Sequence, residues 1–360
     1  MTRLYTIILT MAVLLIAACT PSDDFNEVVG EGNAVYLQST ASWGEKVQSG
    51  KAVTRAHWDD NGKFIWDENS DQMVVLIANN DELVPWGEND YSYVTVRKME
   101  DTTQVSLKSN SGILKSDLDK LQVGSTPVCF FSPLSQSNGT NSEYSPNTKC
   151  ITFSLPNEFV QTPNGGRLDE FAPYTYIYAR SEISAVSKAT IEAAPSVFNG
   201  VPAVIHFSIK NEREEPVTIK KVEISISSGG FPKTMVLNPI SGDPEPSGTD
   251  VWTTVTTNLG SSGDILTANE NANYYLYVFP MEAVDGATFT LSVYEDEGVP
   301  NNLKVHSTQP IASRTFQSNH IYTCNLRMQY PPLTLQLDGI EVQTIPDWQV
   351  GASESIPSNW

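Results

Sequence analysis

The sequence predicts an all-β fold with two antiparallel β-sandwich domains in tandem. Apolar and polar residues alternate with a period of two along most of the chain, and Gly, Pro, Asn and Ser clusters separate the alternating runs. The 3.6-residue apolar period typical of helices is weak and occurs only around residues 113–121 and 187–194. A chain of 360 residues, 40 % hydrophobic, is long enough for two packed domains or one large all-β domain.

The first predicted domain spans residues 34–185 and contains seven strands. Each is a short run rich in β-branched or aromatic residues and bounded by turn-forming residues. The predicted strands are Ala34–Thr40, Gln72–Ala78, Tyr91–Val96, Gln104–Lys108, Val128–Phe131, Ile151–Leu155 and Tyr174–Ala179.

The second predicted domain spans residues 190–328, and the boundary is expected between Ser181 and Pro202, where Ala, Ser and Pro interrupt the strand pattern. One strand, Tyr274–Phe279, is apolar on both faces and is expected to be central and buried. The predicted strands are Ala203–Lys210, Val217–Ser227, Thr234–Leu237, Val251–Thr256, Tyr274–Phe279, Ala287–Tyr294 and His320–Met328. The segments 135–148 and 241–249 are expected to be solvated surface loops.

Charge and residue patterns exclude several classes of function. A formal net charge of −20 argues against nucleic acid and anionic membrane surfaces as partners. The four histidines (His57, His206, His306 and His320) show no metal-ligand spacing, and no nucleophile elbow or phosphate-binding loop is present. We therefore expect no catalytic residue, metal or cofactor, and a protein that is not an enzyme.

Three cysteines follow residue 100. Cys129 and Cys150 both lie on predicted strands, where they could form a disulfide across a hairpin in an oxidising compartment. Cys324 is expected to be a small buried hydrophobic residue.

The N-terminus has the features of a secretory signal peptide. Arg3 precedes an apolar run that ends at Ala18, and two small residues stand directly before Cys19. This ending resembles the lipobox of bacterial lipoproteins, in which residues 1–18 would be removed and Cys19 would carry the lipid. Residues 19–33 are acidic and polar and are expected to tether the lipid to the first strand.

Arg55 lies in a predicted exposed loop after the first strand, where a protease could cut between Arg55 and Ala56. A cut there would release residues 34–55 from the first domain. Loss of the first strand would expose two sheet edges and a hydrophobic groove, and open edges accept another strand.

Residues 329–360 form a C-terminal appendage with strand-like alternation. Asp338-Gly339 could make a hairpin, so that the segment covers its own domain. Alternatively, the segment is one long extended donor strand with a kink at Gly339 for a neighbouring molecule, and its burial would be worth about 1.5–3 kcal/mol for each apolar side chain. The candidate donor residues are Leu333, Leu335, Leu337, Ile340, Val342 and Ile345.

In the order and spacing of several pieces, the chain resembles the fimbrillin family, the type V pilins of Gram-negative bacteria. The pieces are the lipobox at Cys19, Thr54-Arg55-Ala56, Phe64-Ile65-Trp66 with Asp71, Leu155-Pro156 with the Gln161 region, Asp169–Tyr178, Ala203–Phe207, Tyr277–Pro280, Asn319–Tyr322 and Ile345–Trp348.

This resemblance implies two transthyretin-like β-sandwich domains, transport to the outer membrane as a lipoprotein, and cleavage after Arg55 by an arginine-specific protease. It also implies polymerisation into a fimbria (pilus) by donor-strand exchange with other pilin subunits, which supports cell adhesion to host or bacterial surfaces. By position, residues 34–40 would lie in the released piece and Leu333–Ile345 would be the donor strand.

Two alternatives remain at this stage. The family also contains tip and anchor subunits that do not polymerise in this way. A surface lipoprotein that binds glycans is the other alternative, since exposed aromatic rings can stack on sugars. Its candidate residues are Trp86, Tyr91, Tyr93, Tyr144 and Trp252.

Overall fold

The computed structural model describes residues 33–42, 57–58, 64–65, 73–79, 82–98, 104–134, 141–163, 168–240, 242–296, 303–329, 334–344 and 354–357. Almost all of the regular structure in these residues is β-strand, which confirms the all-β prediction. Two short 3₁₀ helices, Lys115–Lys120 and Leu168–Tyr174, accompany the strands.

The described strands up to residue 200 are numbered β1 to β16. Their bounds are β1 Ala34–Ser42, β2 His57–Trp58, β3 Phe64–Ile65, β4 Val74–Asn79, β5 Glu82–Leu83, β6 Ser92–Lys98, β7 Gln104–Ser109, β8 Ile113–Leu114, β9 Pro127–Ser132, β10 Ser142–Ser145, β11 Cys150–Ser154, β12 Glu158–Val160, β13 Ile177–Val186, β14 Thr190–Ala193, β15 Ser196–Val197 and β16 Asn199–Gly200.

The described strands after residue 200 are numbered β17 to β31. Their bounds are β17 Ala203–Asn211, β18 Val217–Ile226, β19 Phe231–Pro232, β20 Thr234–Leu237, β21 Glu245–Pro246, β22 Val251–Trp252, β23 Thr254–Asn258, β24 Asp264–Leu266, β25 Asn271–Val278, β26 Thr288–Asp296, β27 Leu303–Ser307, β28 Ile311–Ala312, β29 His320–Gln329, β30 Thr334–Thr344 and β31 Glu354–Pro357.

The strands of the first half form a sheet that closes on itself. Its order is β1, β7, β6, β4, β9, β13 and β14, and β14 pairs with both β13 and β1. The long strand β13 makes this closure possible, because its first part pairs with β9 and its last part with β14. Each strand of this ring therefore has a partner on both sides.

The two larger sheets of the second half have the strand orders β12-β23-β18-β26-β27 and β25-β17-β29-β30-β31, while β19 pairs with β22 and β20 pairs with β11 and β21. Their inward side chains alternate with outward ones, as in β29, where Tyr322, Cys324, Leu326 and Met328 are buried. The pairing is mixed rather than wholly antiparallel as predicted: β17 runs parallel to β29, β12 to β23, and β1 to β14 and β15. These partners are far apart in sequence, so no tight hairpin dictates their direction.

The two halves share a layer of aromatic side chains. Strand β11 pairs with β20 and β12 pairs with β23, so the first half also bonds to the second. The ring of Phe153 lies 5.6 Å from that of Phe279, and Phe171 lies 5.3 Å from Tyr277, measured between ring centroids. Strand β25 is buried, as predicted, but it ends its sheet instead of lying at its centre, because these aromatic residues cover it.

Three local predictions need correction. The segment 187–194, which has a weak helical period, contains a tight turn from Ser187 to Thr190 followed by β14. Pairing of β14 with β1 and β13 outweighs its local helix preference. The two expected loops also contain strands: β10 lies within residues 135–148 and β21 within residues 241–249.

We expect Phe153→Ala to lower the free energy of unfolding by about 3–5 kcal/mol, because it removes a fully buried ring from the shared aromatic layer. Urea unfolding followed by tryptophan fluorescence measures this loss. Val160→Ala is the control: its side chain is 72 % exposed, so the change should stay within about 0.5 kcal/mol. Equal effects of the two substitutions would contradict a shared core at Phe153.

Candidate strand-exchange site

Strand β1 occupies a slot between two neighbours in the closed sheet. It lies antiparallel to β7, with Gln38 opposite Lys108, and parallel to β14 and then β15 on its other side. Main-chain donors and acceptors on both edges of β1 therefore have strand partners. Removing β1 would leave two unpaired edges and the groove between them.

The slot is apolar inside, and its outer face carries one cation and one anion, Lys108 of β7 and Glu192 of β14, both opposite Gln38. Val35, Leu37 and Ala41 point inward and are at most 1 % exposed. Tyr36 points outward and is 37 % exposed, with the Nζ atom of Lys108 5.9 Å from its ring centroid. The alternation of β1 thus matches an inner hydrophobic surface and an outer surface that carries a cation.

One position inside the slot is polar. The β14 strand ends at Ala193 and β15 begins at Ser196, so Ala194 and Pro195 interrupt the partner of β1. Pro195 has no N–H to donate. The Ser39 hydroxyl lies 3.2 Å from the carbonyl oxygen of Ala194 and 3.4 Å from that of Ala193, to which it can donate a hydrogen bond. The Ser39 hydroxyl thus supplies a side-chain contact where the main-chain pairing of β1 with β14 and β15 is interrupted.

The predicted donor segment forms β30, which pairs antiparallel with β29 of its own chain. Leu335 and Ile340 are buried on the inner face, and Leu337 and Val342 are half-buried there. The last strand of the second predicted domain, β29, is thus the partner of this segment within its own chain. Strand β31 pairs with the other edge of β30.

Asp338-Gly339 forms a bulge in a continuous strand and not a hairpin turn. Gly339 lies opposite Asn325 and Leu337 opposite Leu326, so Asp338 is the extra residue of β30. The bulge keeps Leu337 and Ile340, three positions apart, on the same face of the sheet. In shape, β30 matches the extended alternative drawn from the sequence, but it covers its own domain, as the other alternative expects.

Polar side chains hold β30 along its outer face. Arg327 donates a hydrogen bond to the carboxylate of Asp338 and lies 3.6 Å from a carboxylate oxygen of Glu212. The Asn325 side-chain amide donates to Glu341 at 3.0 Å. These contacts are exposed, so each contributes little to stability.

Five of the residues singled out in the sequence lie outside the described residues: Cys19, Arg55, Ala56, Leu333 and Ile345. The lipid attachment, the cut and the two ends of the donor segment therefore stay predictions. The described donor residues are Leu335, Leu337, Ile340 and Val342, and β30 brings them onto one face.

Cys129 and Cys150 do not form the disulfide considered from the sequence. The two sulfur atoms are not joined, because Cys129 lies on β9 in the ring while Cys150 lies on β11, which belongs to another sheet. Burial raises the pKa of Cys129 and of Cys324 to about 12, so both remain protonated and unreactive.

Three of the five aromatic residues considered for glycan binding come together. Tyr91 packs edge-on against Tyr93 and Tyr144, with ring centroids 5.7 Å and 5.4 Å apart, and the Tyr144 hydroxyl donates to Asp90 at 2.7 Å. Tyr93 and Tyr144 are half-buried, so part of each ring faces solvent. We call Tyr91, Tyr93 and Tyr144 the tyrosine cluster.

The other two aromatic candidates are engaged elsewhere. Trp86 is 1 % exposed and lies in the core. Trp252 donates its indole N–H to the carbonyl oxygen of Leu155 at 3.1 Å, and the Lys233 ammonium lies 4.1 Å from its ring centroid. Neither indole offers an open face for stacking on a sugar.

Titratable groups in the second half make structural contacts. His306 lies 2.8 Å from one carboxylate oxygen of Glu295, and Arg213 lies 2.7 Å from the other. His206 contacts Asn273 at 3.0 Å and Thr323 at 3.1 Å, and its ring stacks on Tyr275. Within the described ranges, no three His, Cys, Asp or Glu side chains come together as a metal site.

No helix in the described part of the chain combines the length and apolarity needed to span a membrane.

Comparison with known proteins gives structural matches only. No protein-family model and no curated protein sequence matches the chain. A protein from Bacteroides uniformis provisionally named a cell adhesion protein is 14 % identical, with a TM-score of 0.47, and the match covers 86 % of this chain and 97 % of that one.

Two further solved structures carry fimbrial names. A fimbrial protein from Bacteroides vulgatus is 10 % identical, with a TM-score of 0.44 over 76 % of this chain and 92 % of that one. The tip fimbrial protein Mfa3 from Porphyromonas gingivalis, with a C-terminal truncation, is 12 % identical, with a TM-score of 0.42 over 86 % of this chain and 99 % of that one. These names belong to the group of proteins that the sequence resembles, and the proposals below rest on this chain's own contacts.

The contact that Ser39 makes inside the slot could not be predicted from the sequence. Ser39 looks like any half-polar strand residue in the sequence, and its role depends on the interruption at Ala194-Pro195, more than 150 residues away. The local signal was Pro195 itself, since a proline cannot donate to a neighbouring strand.

We expect Ser39→Ala to lower the free energy of unfolding by about 1 kcal/mol, because it removes the hydroxyl that lies beside the buried carbonyl oxygen of Ala193, while the Ala194 carbonyl oxygen keeps the Ser181 hydroxyl as a donor. Urea unfolding of the uncleaved protein measures the loss. Gln38→Ala on the same strand is the control, since its side chain is half-buried on the outer face and should cost less. A neutral Ser39→Ala would mean that the interruption does not need this hydroxyl.

We also expect stability to depend on pH through His206. Burial lowers its pKa from 6.5, while Asn273 on the neighbouring strand β25 and Glu341 on β30 of the same sheet act in the opposite direction. The unfolded chain therefore binds the proton more readily, so stability is highest above about pH 6.5 and falls as the pH falls below it. His206→Gln should flatten this fall between pH 8 and pH 5, measured by urea unfolding, and His320→Gln should retain it. An unchanged slope in His206→Gln would exclude His206 as its source.

Proposed function

We propose that this chain is a structural subunit of a cell-surface pilus and polymerises by strand exchange. One observation carries the proposal: β1 fills a slot with strand partners on both sides, and its covalent connection to the rest of the sheet passes through residues 43–56, which contain Arg55. A single cut at Arg55 would separate β1 from every strand that follows it. The opened slot would then accept a strand from another subunit.

In this proposal the protein is exported with its signal peptide, residues 1–18, and is anchored in the outer membrane through lipid on Cys19. An arginine-specific protease then cuts between Arg55 and Ala56 at the cell surface. Residues 34–55 leave with β1, still joined to residues 19–33 and the lipid on Cys19, and the Leu333–Ile345 segment of a neighbouring pilin subunit takes the place of β1. The assembled fimbria supports adhesion to host or bacterial surfaces.

The energetics favour a replacement strand once β1 is lost. The slot buries Val35 and Leu37 completely, and each side chain of this kind is worth about 1.5–3 kcal/mol on burial. Unpaired main-chain groups on β7 and β14 would add to the cost of an empty slot. A segment with strand alternation and apolar inward residues, as in β30, supplies both kinds of contact.

We further propose two transthyretin-like domains, with residues 329–360 as the appendage. The expected bounds 34–185 and 190–328 are replaced by a boundary near residue 200, because β14 pairs with β1 and β13, and β15 pairs with β1. Most strands of each half pair within that half, which supports this division. The β11–β20 and β12–β23 pairs, together with the aromatic layer, would hold the domains at a fixed angle.

The deciding test compares Arg55→Ala with Lys51→Ala in the exported protein. We expect Lys51→Ala and the unmodified chain to give a new N-terminus at Ala56 and a ladder of heat-labile multimers. Arg55→Ala should remain a full-length monomer with lipid on Cys19, shown by intact mass and gel electrophoresis. Multimers of an uncut Arg55→Ala protein would contradict activation by cleavage, and uncut monomers of the unmodified chain would indicate a tip or anchor subunit.

A second candidate function is glycan binding by a surface lipoprotein, and the tyrosine cluster favours it. Partly exposed tyrosine rings beside a carboxylate, as at Tyr144 and Asp90, combine a stacking face with a hydrogen-bond acceptor for sugar hydroxyls. Titration of the monomer with neutral oligosaccharides tests this candidate. Binding that Tyr93→Ala abolishes would support it, and no binding at millimolar sugar would remove it.

A further inference from the structure

Two segments of this chain share one pattern of side chains. The Val35–Ser39 segment of β1 reads Val-Tyr-Leu-Gln-Ser, and the Ile340–Thr344 segment of β30 reads Ile-Glu-Val-Gln-Thr. In both, two β-branched or aliphatic residues alternate with outward positions and are followed by Gln and then a hydroxyl residue. The first segment occupies the slot, and the second lies beyond the bulge at Asp338.

We propose that Ile340–Thr344 of a second copy of this chain enters the slot in the direction of β1 and in one fixed register. Ile340, Val342 and Thr344 then take the places of Val35, Leu37 and Ser39. This inference rests on the strand exchange proposed above and adds the identity of the inserted residues and their alignment.

The hydroxyl of Thr344 fixes this register. In the place of Ser39 it reaches the carbonyl oxygens of Ala193 and Ala194 at the interruption between β14 and β15. A shift by two residues in one direction would put Val342 there, which has no hydroxyl, and in the other direction Pro346, which has no N–H. A shift by one residue would turn the apolar side chains out of the slot.

Charge favours the same alignment. Glu341 takes the outward place of Tyr36, where the Lys108 ammonium lies within reach of the side chain. An acidic side chain in that place forms an ion pair with Lys108, which Tyr36 does not. Lys108 of β7 thus supplies the cation for a second copy's Glu341, and Glu192 of β14 is the carboxylate on the same outer face, opposite the place of Gln343.

The ends of the inserted segment follow from the same alignment. Leu335 and Leu337 precede the bulge and fall outside the slot, ahead of the position of Val35. Pro346 falls in the place of Ala41 and ends the pairing, because it cannot donate to a neighbouring strand. The slot therefore takes the second half of β30, and the first half spans the gap between subunits.

Cysteine cross-linking between two chains tests the register. Gln38 lies opposite Lys108, so Gln343 of the donor must lie opposite Lys108 of the acceptor. We mix a Gln343→Cys chain with a Lys108→Cys chain, both carrying Cys150→Ser, cut them after Arg55 and oxidise them. A disulfide-linked dimer is expected from this pair and not from Gln343→Cys mixed with Ser106→Cys, which lies opposite Thr40.

A charge exchange provides a second readout. Glu341→Lys in the donor should slow multimer formation at least ten-fold through repulsion by Lys108, and Lys108→Glu in the acceptor should restore the rate. Effects on the donor's own fold cannot explain this rescue, because Lys108 then lies on the other chain. Preferential linkage to Ser106, or no rescue, would overturn the register while multimers still form. Absence of multimers from the unmodified cut chain would instead overturn strand exchange itself.

Discussion

The structure depends on the pairing that closes the first sheet around β1. A strand at a sheet edge leaves one row of main-chain groups open, but β14 pairs with both β13 and β1 and removes that edge. The neighbouring strands β7 and β14 keep their two partners only while β1 is present. The first strand of the described chain is therefore also the one on which the sheet's closure relies.

The strand pairs that close the first sheet and the aromatic contacts that fix it to the second half involve different parts of the sequence. The ring itself is built from residues before position 200, whereas the aromatic layer at Phe153 and Phe171 fixes it to β25 of the second half. The aromatic contacts with the second half therefore help to hold the first sheet in place independently of β1. Loss of β1 would then leave β7 and β14 facing each other across a slot whose surroundings remain packed.

Much of this fold could be predicted from local pattern, and the site only in part. Alternation identified β17, β18 and β29 because each has one buried face with a period of two. It could not reveal that β17 and β29 lie side by side in parallel, since direction depends on partners more than a hundred residues apart. The donor segment was recognised by its apolar residues, but its pairing with β29 depends on a bulge at Asp338, where the Asp-Gly pair is equally typical of a hairpin turn. The role of Ser39 depends on the interruption between β14 and β15 at Pro195, which residues near Ser39 in the sequence do not reveal.

The two-sided pairing of the slot has a mechanical consequence. A strand bonded along both edges and pulled along its own axis loads all its hydrogen bonds together, in shear, and cannot be peeled away one bond at a time. The same number of bonds along a single edge would open successively under a much smaller force. A filament joined through such slots would resist tension from flowing liquid at each junction, with the covalent chain carrying the load between them.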